Sequence, residues 1–565
     1  MIAVWCFVAV ATFGAPHAAR PAADDSIRFE FRPLAAESAT RDIGVRLIYR
    51  TGADTVTAIR LPGSWAGYND HYHSITDIRS GSPSVRIEAY SAPDRWIVHA
   101  PAHEVVTVDY RVHQDWTGPL RRPQYFRAIA RPDMAVLIGQ NALVLPDRDG
   151  NDSVVVTVAW RDLPAGWRAA SSFGSGVLAR ARATIADVRD GLFIAGVFRW
   201  QNLTVRGRSV ELAARTTGRI TDSLIARMTS LLIERERRFW NDRGPGFYLA
   251  VALPISNGLG GTAFTNAIAM YADSTSRLQG FGETLAHELF HAWIGRRVRM
   301  AGDEGLSKWF TEGFTEFYAD RFARAVGVIT TDGFVQRVNA DIREYYTSPA
   351  RNTPRDSVPA RYWTDPAVNR LPYLQGYLLA AHLDVIGHDS VHAKFTLDSA
   401  MAALLRRSVR QQGEVTESDF VASFPAGAQL AIRAAIDTFV VAGHTMPVDA
   451  AGFGPCMSVE DREEFPFDLG FDSDASTKAR VVSGVRPGSA AEQAGLRDGM
   501  RLTRWGWFGG QADSTVKLTV SDSADSTRVI AYLPRATTSL RLPRLVAEPC
   551  PTKGRGGNAP ALPLR

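Results

Sequence analysis

Cysteine is nearly absent, three in 565 residues, which excludes a disulfide-rich scaffold and leaves room for at most one bridge. Lysine is almost as rare: only five of the 64 basic residues are Lys, and 59 acidic residues nearly cancel them. The net charge of +5 gives no clustered basic face, so we expect no nucleic-acid partner. Long apolar runs are missing as well. The longest, Ile2–Ala15, falls short of the about 20 residues that span a bilayer. It suits the apolar region of a signal peptide, with Pro16, Ala18 and Ala19 as cleavage context, although no Lys or Arg precedes it. We therefore expect a signal peptide over 1–19, an exported (periplasmic or secreted) protein, and no transmembrane span in the mature chain.

What remains is an ordinary globular composition, 45% apolar and 22% charged, which rules out disorder, collagen or coiled coil as descriptions of the whole. At about 150 residues per domain the length suggests roughly four domains. From about 25 to 165, short β-branched stretches such as Val45–Tyr49, Val105–Val112 and Ser153–Val158 alternate with Gly, Pro, Asp and Asn turns, the pattern of a β-sandwich. From about 220 the period becomes helical, with Leu224, Met228, Leu231 and Leu232 ahead of a strand at Phe247–Leu253. Helical patterns run from 281 to about 440, broken by a Pro-rich passage at 354–372. Short strands return over 455–548, and 549–565 has the composition of a disordered tail.

The chemistry-bearing segment is Phe281–Gly295, FGETLAHELFHAWIG. On a helix His287 and His291 project from one face, a turn apart, at a spacing that lets both imidazoles reach one zinc. Glu288 follows the first histidine, where a carboxylate meets a metal-bound water without ligating. This is the HExxH arrangement of metalloproteases. The next segment, SKWFTEGFTEFYAD over Ser307–Asp320, reads as a helix with Ser307 as its N-cap. Glu312, Glu316 and Asp320 fall on one stripe, with Phe310, Phe314 and Phe317 on other faces for packing. Glu312 supplies a third ligand and leaves the fourth position to water. Glu316, one turn on, is placed to accept the distal N–H of a ligating histidine.

HELFHAWIG followed by EGFTEFY resembles the gluzincin metallopeptidases, most closely the glycyl aminopeptidase family. That resemblance spans most of 25–548. It implies a multidomain α+β chain: an N-terminal β-sandwich-like domain (20–168), a thermolysin-like zinc catalytic domain with a helical continuation (169–445), and a C-terminal PDZ-like domain (455–548). It further implies one zinc per chain on His287, His291 and Glu312, Glu288 as general base, and peptide or protein substrates. The family's Tyr in Pro-Tyr-x-x-Gly corresponds to Tyr373 in LPYLQG, where a phenol would stabilise an oxyanion. The family also has a Gly-Gly substrate strand, matched by Gly260 and Gly261, with a Glu two residues later that binds the substrate amine. Here Ala263 holds that place, so we expect reduced dependence on a free N-terminus, with Asp273 and Glu283 the nearest carboxylates in sequence.

FDLGFD (Phe467–Asp472) resembles the carboxylate-binding loop of PDZ domains, and Val482–Met500 their second strand, turn and helix. Amides around Leu469, Gly470 and Phe471 would then hold the carboxylate of a C-terminal peptide ligand. Cys456 and Cys550 bracket this unit and are expected to bridge. Other features carry less. GLGGTA at Gly258–Ala263 fits a dinucleotide fingerprint but lacks the βαβ repeat. His71 and His73 lack a third ligand, no G-x-S-x-G elbow exists, and the sequons at Asn151 and Asn202 matter only in a eukaryotic secretory host. A non-catalytic PDZ-bearing peptide-binding protein with a structural or vestigial zinc site would leave Glu288 unexplained. The zinc motif by itself also admits an epoxide- or ester-hydrolysing gluzincin.

Overall fold

Strict alternation builds the first strand. Along Ser26–Ala36, Ile27, Phe29 and Phe31 turn inward while Arg28, Glu30 and Arg32 turn outward, the two-residue period of a half-buried strand. It pairs in parallel with Ser153–Trp160 and antiparallel with Arg41–Arg50, inside a six-stranded sheet closed by Leu178–Thr184, Val105–Val112 and Ile75–Ser80. A four-stranded sheet contains Val56–Arg60 and Arg95–His99. Its Ile59 and Val98 share one core with Phe29, Leu47 and Val108 of the larger sheet, so the two form a sandwich. The computed structural model describes residues 25–36, 39–216, 218–389, 395–411, 413–507, 512–522 and 526–549. The expected signal peptide and the expected tail from Cys550 onward lie outside them.

The expected boundary at 168 falls at the start of a strand. Arg168–Ser171 pairs with Leu192–Gly196, which pairs with Met134–Ile138, in a third, five-stranded sheet. The first unit therefore runs to Phe198 and also takes in Phe247–Leu249 and Phe264–Ala267. The second unit holds the other described residues, so the catalytic and C-terminal regions fall in one unit. It contains a sheet in the order Arg199–Val205, Arg208–Ala214, Phe247–Pro254, Ala267–Ala272, Leu259–Phe264. The last of these, which carries Gly260 and Gly261, is an edge strand.

Helices follow at Leu278–Phe290, Thr331–Thr347 and Pro366–Asp389, with an α–π–α run between the first two at Glu304–Lys308, Trp309–Phe314 and Thr315–Ala325. The Pro-rich passage does not end the helical region, because the helix opens on Pro366 and continues through Pro372. No helix among the described residues is long and apolar enough to cross a membrane.

The C-terminal region has its own core of Phe471, Val482, Leu496, Val516, Leu518 and Ile530. It is tied to the Thr331–Thr347 helix by Asn339, whose amide exchanges two 2.8 Å hydrogen bonds with the Leu545 backbone. One detail adds to the PDZ expectation and one departs from it. The residues after the Phe467–Asp472 loop form a helix, Ser473–Ala479, capped by Asp472. The expected second strand is reduced to a single bridge between Val481 and Arg501. Asp472 accepts from Ala475 N–H at 2.9 Å, a cap that starts a helix ahead of the segment expected to open with the second strand. The Gly470 amide already donates to Asp468 Oδ1 at 2.8 Å. Cys456 is disulfide-bonded. Antiparallel pairing of Met457 with Ala547 brings the chain near its expected partner alongside it.

Candidate active site

The Leu278–Phe290 helix buries Phe281, Leu285 and Leu289 at i, i+4 and i+8, the apolar stripe of an amphipathic helix. Phe290 stacks on Tyr318 of the acidic helix, centroids 5.2 Å apart at 19°, and meets Phe322 edge-on at 5.5 Å. That aromatic contact fixes the two helices against each other. His287 lies on the last turn and His291 is the C-cap.

The acidic helix begins earlier than expected. Asp303 caps it by accepting from Gly305 N–H, and Ser307 is inside, donating to the Glu304 carbonyl. Glu312 then sits on the π turn Trp309–Phe314, a wide turn of the kind found at functional sites. Here the chain crosses the Pro366–Asp389 helix backbone to backbone. A Cβ on Gly376 would lie 1.9 Å from the Trp309 carbonyl oxygen, and one on Gly313 would lie 2.4 Å from Gly376 Cα. Two glycines thus let the helix bearing Glu312 approach the helix bearing Tyr373.

Three donor atoms converge. His287 Nε2 and His291 Nε2 are 3.1 Å apart, and Glu312 Oε2 lies 3.4 Å and 3.6 Å from them. Bonds of about 2.1 Å in a tetrahedron give edges of about 3.4 Å, so these residues fit one small divalent cation such as zinc. The outer nitrogens are set as well. His291 Nδ1 is 3.2 Å from the Ile294 carbonyl and His287 Nδ1 is 3.5 Å from Glu316 Oε2, which turns both Nε2 atoms inward.

Burial pulls the His287 pKa down, but Glu316, Glu312 and Glu288 outweigh it and hold the ring well above its usual value. Burial would raise Glu312, yet the two histidines and Lys308 hold it well below the carboxylate range. A bound dication would take the place of the proton shared in this cluster. Glu288 is not among the converging ligands. Burial raises its pKa against the pull of the histidines, and it lies directly under the edge strand, since a Cβ on Gly261 would come within 2.5 Å of its Cγ.

Glu316 is held from behind. Arg337 donates to it at 2.9 Å and to both oxygens of Asp320 at 3.1 Å, with Glu283 and Asp341 within 4 Å of the same guanidinium. The Tyr373 ring stacks over His287 at 6.1 Å, and its hydroxyl is 3.4 Å from that of Tyr362. Burial, with Glu312 nearby, pushes its phenol well above its ordinary pKa, so it remains a donor. Lys308, Tyr362 and Arg337 were not singled out from the sequence, nor was Arg370, which pairs with Asp341 at 3.4 Å and, against burial, helps hold the Glu316 carboxylate in its charged form. Only Lys308 left a signal in the sequence, as one of five lysines and one turn ahead of Glu312.

The two carboxylates nearest Ala263 in sequence are occupied elsewhere. Asp273 accepts from Gly258 N–H and from Thr275 and Ser276. Glu283 accepts from Gln279 and faces Arg337. Both carboxylates are thus already partnered within the chain, and the period of the strand puts Ala263 on the same face as Gly261.

Residues 280–363 match the M61 glycyl aminopeptidase family. No curated protein sequence matches the chain. Among solved structures, the aminopeptidase N family protein of Idiomarina loihiensis aligns with a TM-score of 0.67 and 15% identity, over 93% of this chain and 98% of that one. It shares the fold. The M1 zinc metallopeptidase of Deinococcus radiodurans aligns with a TM-score of 0.49 at 15% identity, over 75% of this chain and 96% of its own. The family match falls on the segment that supplies His287, His291 and Glu312, and over that segment the chain is similar to a glycyl aminopeptidase and carries a His–His–Glu cluster able to hold a metal ion.

Proposed function

We propose that this chain is an exported peptidase with one zinc on His287, His291 and Glu312, and that it hydrolyses peptide bonds without requiring a free substrate amine. The carrying observation is the fit of the His–His–Glu triangle to a tetrahedral ion, with Glu288 beside it and outside the ligand set. Bound zinc would polarise the scissile carbonyl and acidify an attacking water. Glu288 accepts that water's proton and returns it to the leaving amine. The Leu259–Phe264 edge strand offers main-chain groups to an extended peptide, and Gly261 lets that strand lie against Glu288. Tyr373 donates from its buried hydroxyl to the developing oxyanion, a contact of the kind worth about 10²–10³ in rate. Ala263 supports the substrate reading, since a methyl group cannot pair with an ammonium. The disulfide at Cys456 supports an oxidising compartment.

Matched peptides with free and acetylated N-termini test this, with Glu288→Gln as the control. Both are expected to be cleaved at comparable kcat/KM, and neither by Glu288→Gln, whose zinc content stays at one per chain. A strong preference for the free amine would overturn the substrate reading. Near-wild-type turnover in Glu288→Gln would overturn the role of Glu288.

A further inference from the structure

The short Glu304–Lys308 helix ends on a cation that no step above uses. Glu304, Lys308 and Glu312 are spaced i, i+4 and i+8, and such stripes usually form solvated ion pairs. This one does not, because Lys308 is only 9% exposed. Its ammonium lies 2.7 Å from Glu304 Oε1, 3.7 Å from Glu312 Oε1 and 5.0 Å above the Tyr362 ring. The two oxygens of Glu312 therefore have different neighbours. Oε2 faces the histidine nitrogens at 3.4 and 3.6 Å, and Oε1 faces the lysine.

We propose that Lys308 is a positioning residue that keeps Glu312 a one-oxygen metal ligand by holding Oε1 away from the ion. The proposal rests on the assignment of Glu312 as a ligand. A carboxylate beside a dication is free to offer one oxygen or both, and a second oxygen would fill the coordination position that a catalytic zinc site keeps open. A buried ammonium competes for that oxygen, since attraction between opposite charges is strong where water is excluded. The same ammonium repels the metal, so it weakens ion binding while it preserves the open position. A lysine that only packed the helix would do neither.

The test uses the full chain with Lys308→Met, which removes the charge and keeps most of the length, and Lys308→Arg, which keeps the charge. Zinc affinity is read by chelator competition, coordination by the visible spectrum of the cobalt(II)-substituted protein, and turnover by steady-state peptide hydrolysis. In Lys308→Met, zinc binding is expected to stay equal or tighten. The cobalt bands should weaken as the coordination number rises. The kcat should fall about 10-fold or more, the size typical of residues that orient ligands, with KM little changed. Lys308→Arg should keep the wild-type cobalt spectrum. Weaker zinc binding with a wild-type cobalt spectrum in Lys308→Met would overturn the proposal and leave a packing role, and so would wild-type behaviour in all three readouts. If Lys308→Met does not fold, Lys308→Gln is read the same way. Wild-type zinc content in Glu312→Ala would overturn the ligand assignment, and the proposal with it.

Discussion

Replacing Gly376 by Ala separates local preference from tertiary packing, because the two predict opposite signs. Gly376 lies inside the Pro366–Asp389 helix, where Ala is intrinsically favoured over Gly by about 1 kcal/mol. The added Cβ, however, would come within 1.9 Å of the Trp309 carbonyl oxygen and 2.9 Å of Gly313 Cα. Against an ordinary contact of 3.4 Å, the helices must part by about 1.5 Å, and both sides of the contact are backbone, so no side chain can swing aside. Overpacking of this kind costs about 1–3 kcal/mol. Taking the upper end and subtracting the propensity gain leaves about 2 kcal/mol of net destabilisation. Catalysis should suffer more than stability. The crossing sets Glu312, beside Gly313, against Tyr373, one turn before Gly376, and a misplacement of about 1 Å can cost about 10² in rate. Thermal unfolding and steady-state hydrolysis on zinc-replete protein measure the two effects. A Gly376→Ala variant with an unchanged or raised melting temperature and wild-type kcat would refute the crossing as the device that assembles the site.

Arg337→Met should destabilise the protein by about 3 kcal/mol in denaturant titrations, because it leaves Glu316, Asp320, Asp341 and Glu283 around a lost cation; a loss below about 1 kcal/mol would count against that network. His291→Ala should lose the bound zinc, and unchanged metal content would remove the three-residue ligand set. Burial would raise the Asp273 pKa, but hydrogen bonds from Gly258, Thr275 and Ser276 hold it at about 2, below the ordinary value of about 3.9. A depressed carboxylate stabilises the fold above its unfolded pKa and loses that contribution as pH falls toward its folded one. Asp273→Asn should therefore lower the melting temperature near neutral pH by an amount that shrinks below about pH 4, and a gap that widened on acidification would contradict the assignment.

The parts of the site that were legible are those written in local spacing. His287 and His291 meet because one helical turn separates them, and Glu312 and Glu316 belong to the following helix. The first sheet was legible for a similar reason, since Ile27, Phe29 and Phe31 alternate with charges. The misread features depend on contacts that residue type and spacing do not decide. Ser307 is as good a cap by type as Asp303, and only the Asp303 bond to Gly305 N–H decides where the helix starts. The π turn at Trp309–Phe314 has no sequence period, being set where Gly313 meets Gly376 across the helix crossing. The Ser473–Ala479 helix, capped by Asp472, had no counterpart in the sequence reading, and the second strand expected at the start of Val482–Met500 is reduced to the Val481–Arg501 bridge. The C-terminal domain resemblance was therefore carried by its Gly turns and apolar positions more than by its backbone.

The charges around the site show why their functional reading needs three dimensions. In sequence, Glu304, Lys308, Glu312, Glu316 and Asp320 form one periodic stripe of the kind that usually faces water. Folding sorts it into separate environments. Glu304 stays largely exposed beside Lys308, Glu312 turns one oxygen to the histidines and the other to Lys308, and Glu316 and Asp320 share Arg337 from the Thr331–Thr347 helix. Burying carboxylates at this density would be prohibitive without cations, and Lys308 and Arg337, two of those that compensate them, come from different elements. Lys308 lies on the stripe itself and faces the ligand's free oxygen. Arg337 lies beyond it and faces the carboxylate behind His287. Removing either cation should therefore give different defects, coordination at the metal for Lys308 and stability of the buried cluster for Arg337. A periodic pattern read along the chain shows Lys308 as the i, i+4 partner of Glu304 and Glu312, but it cannot show Arg337, which reaches Glu316 and Asp320 from another helix.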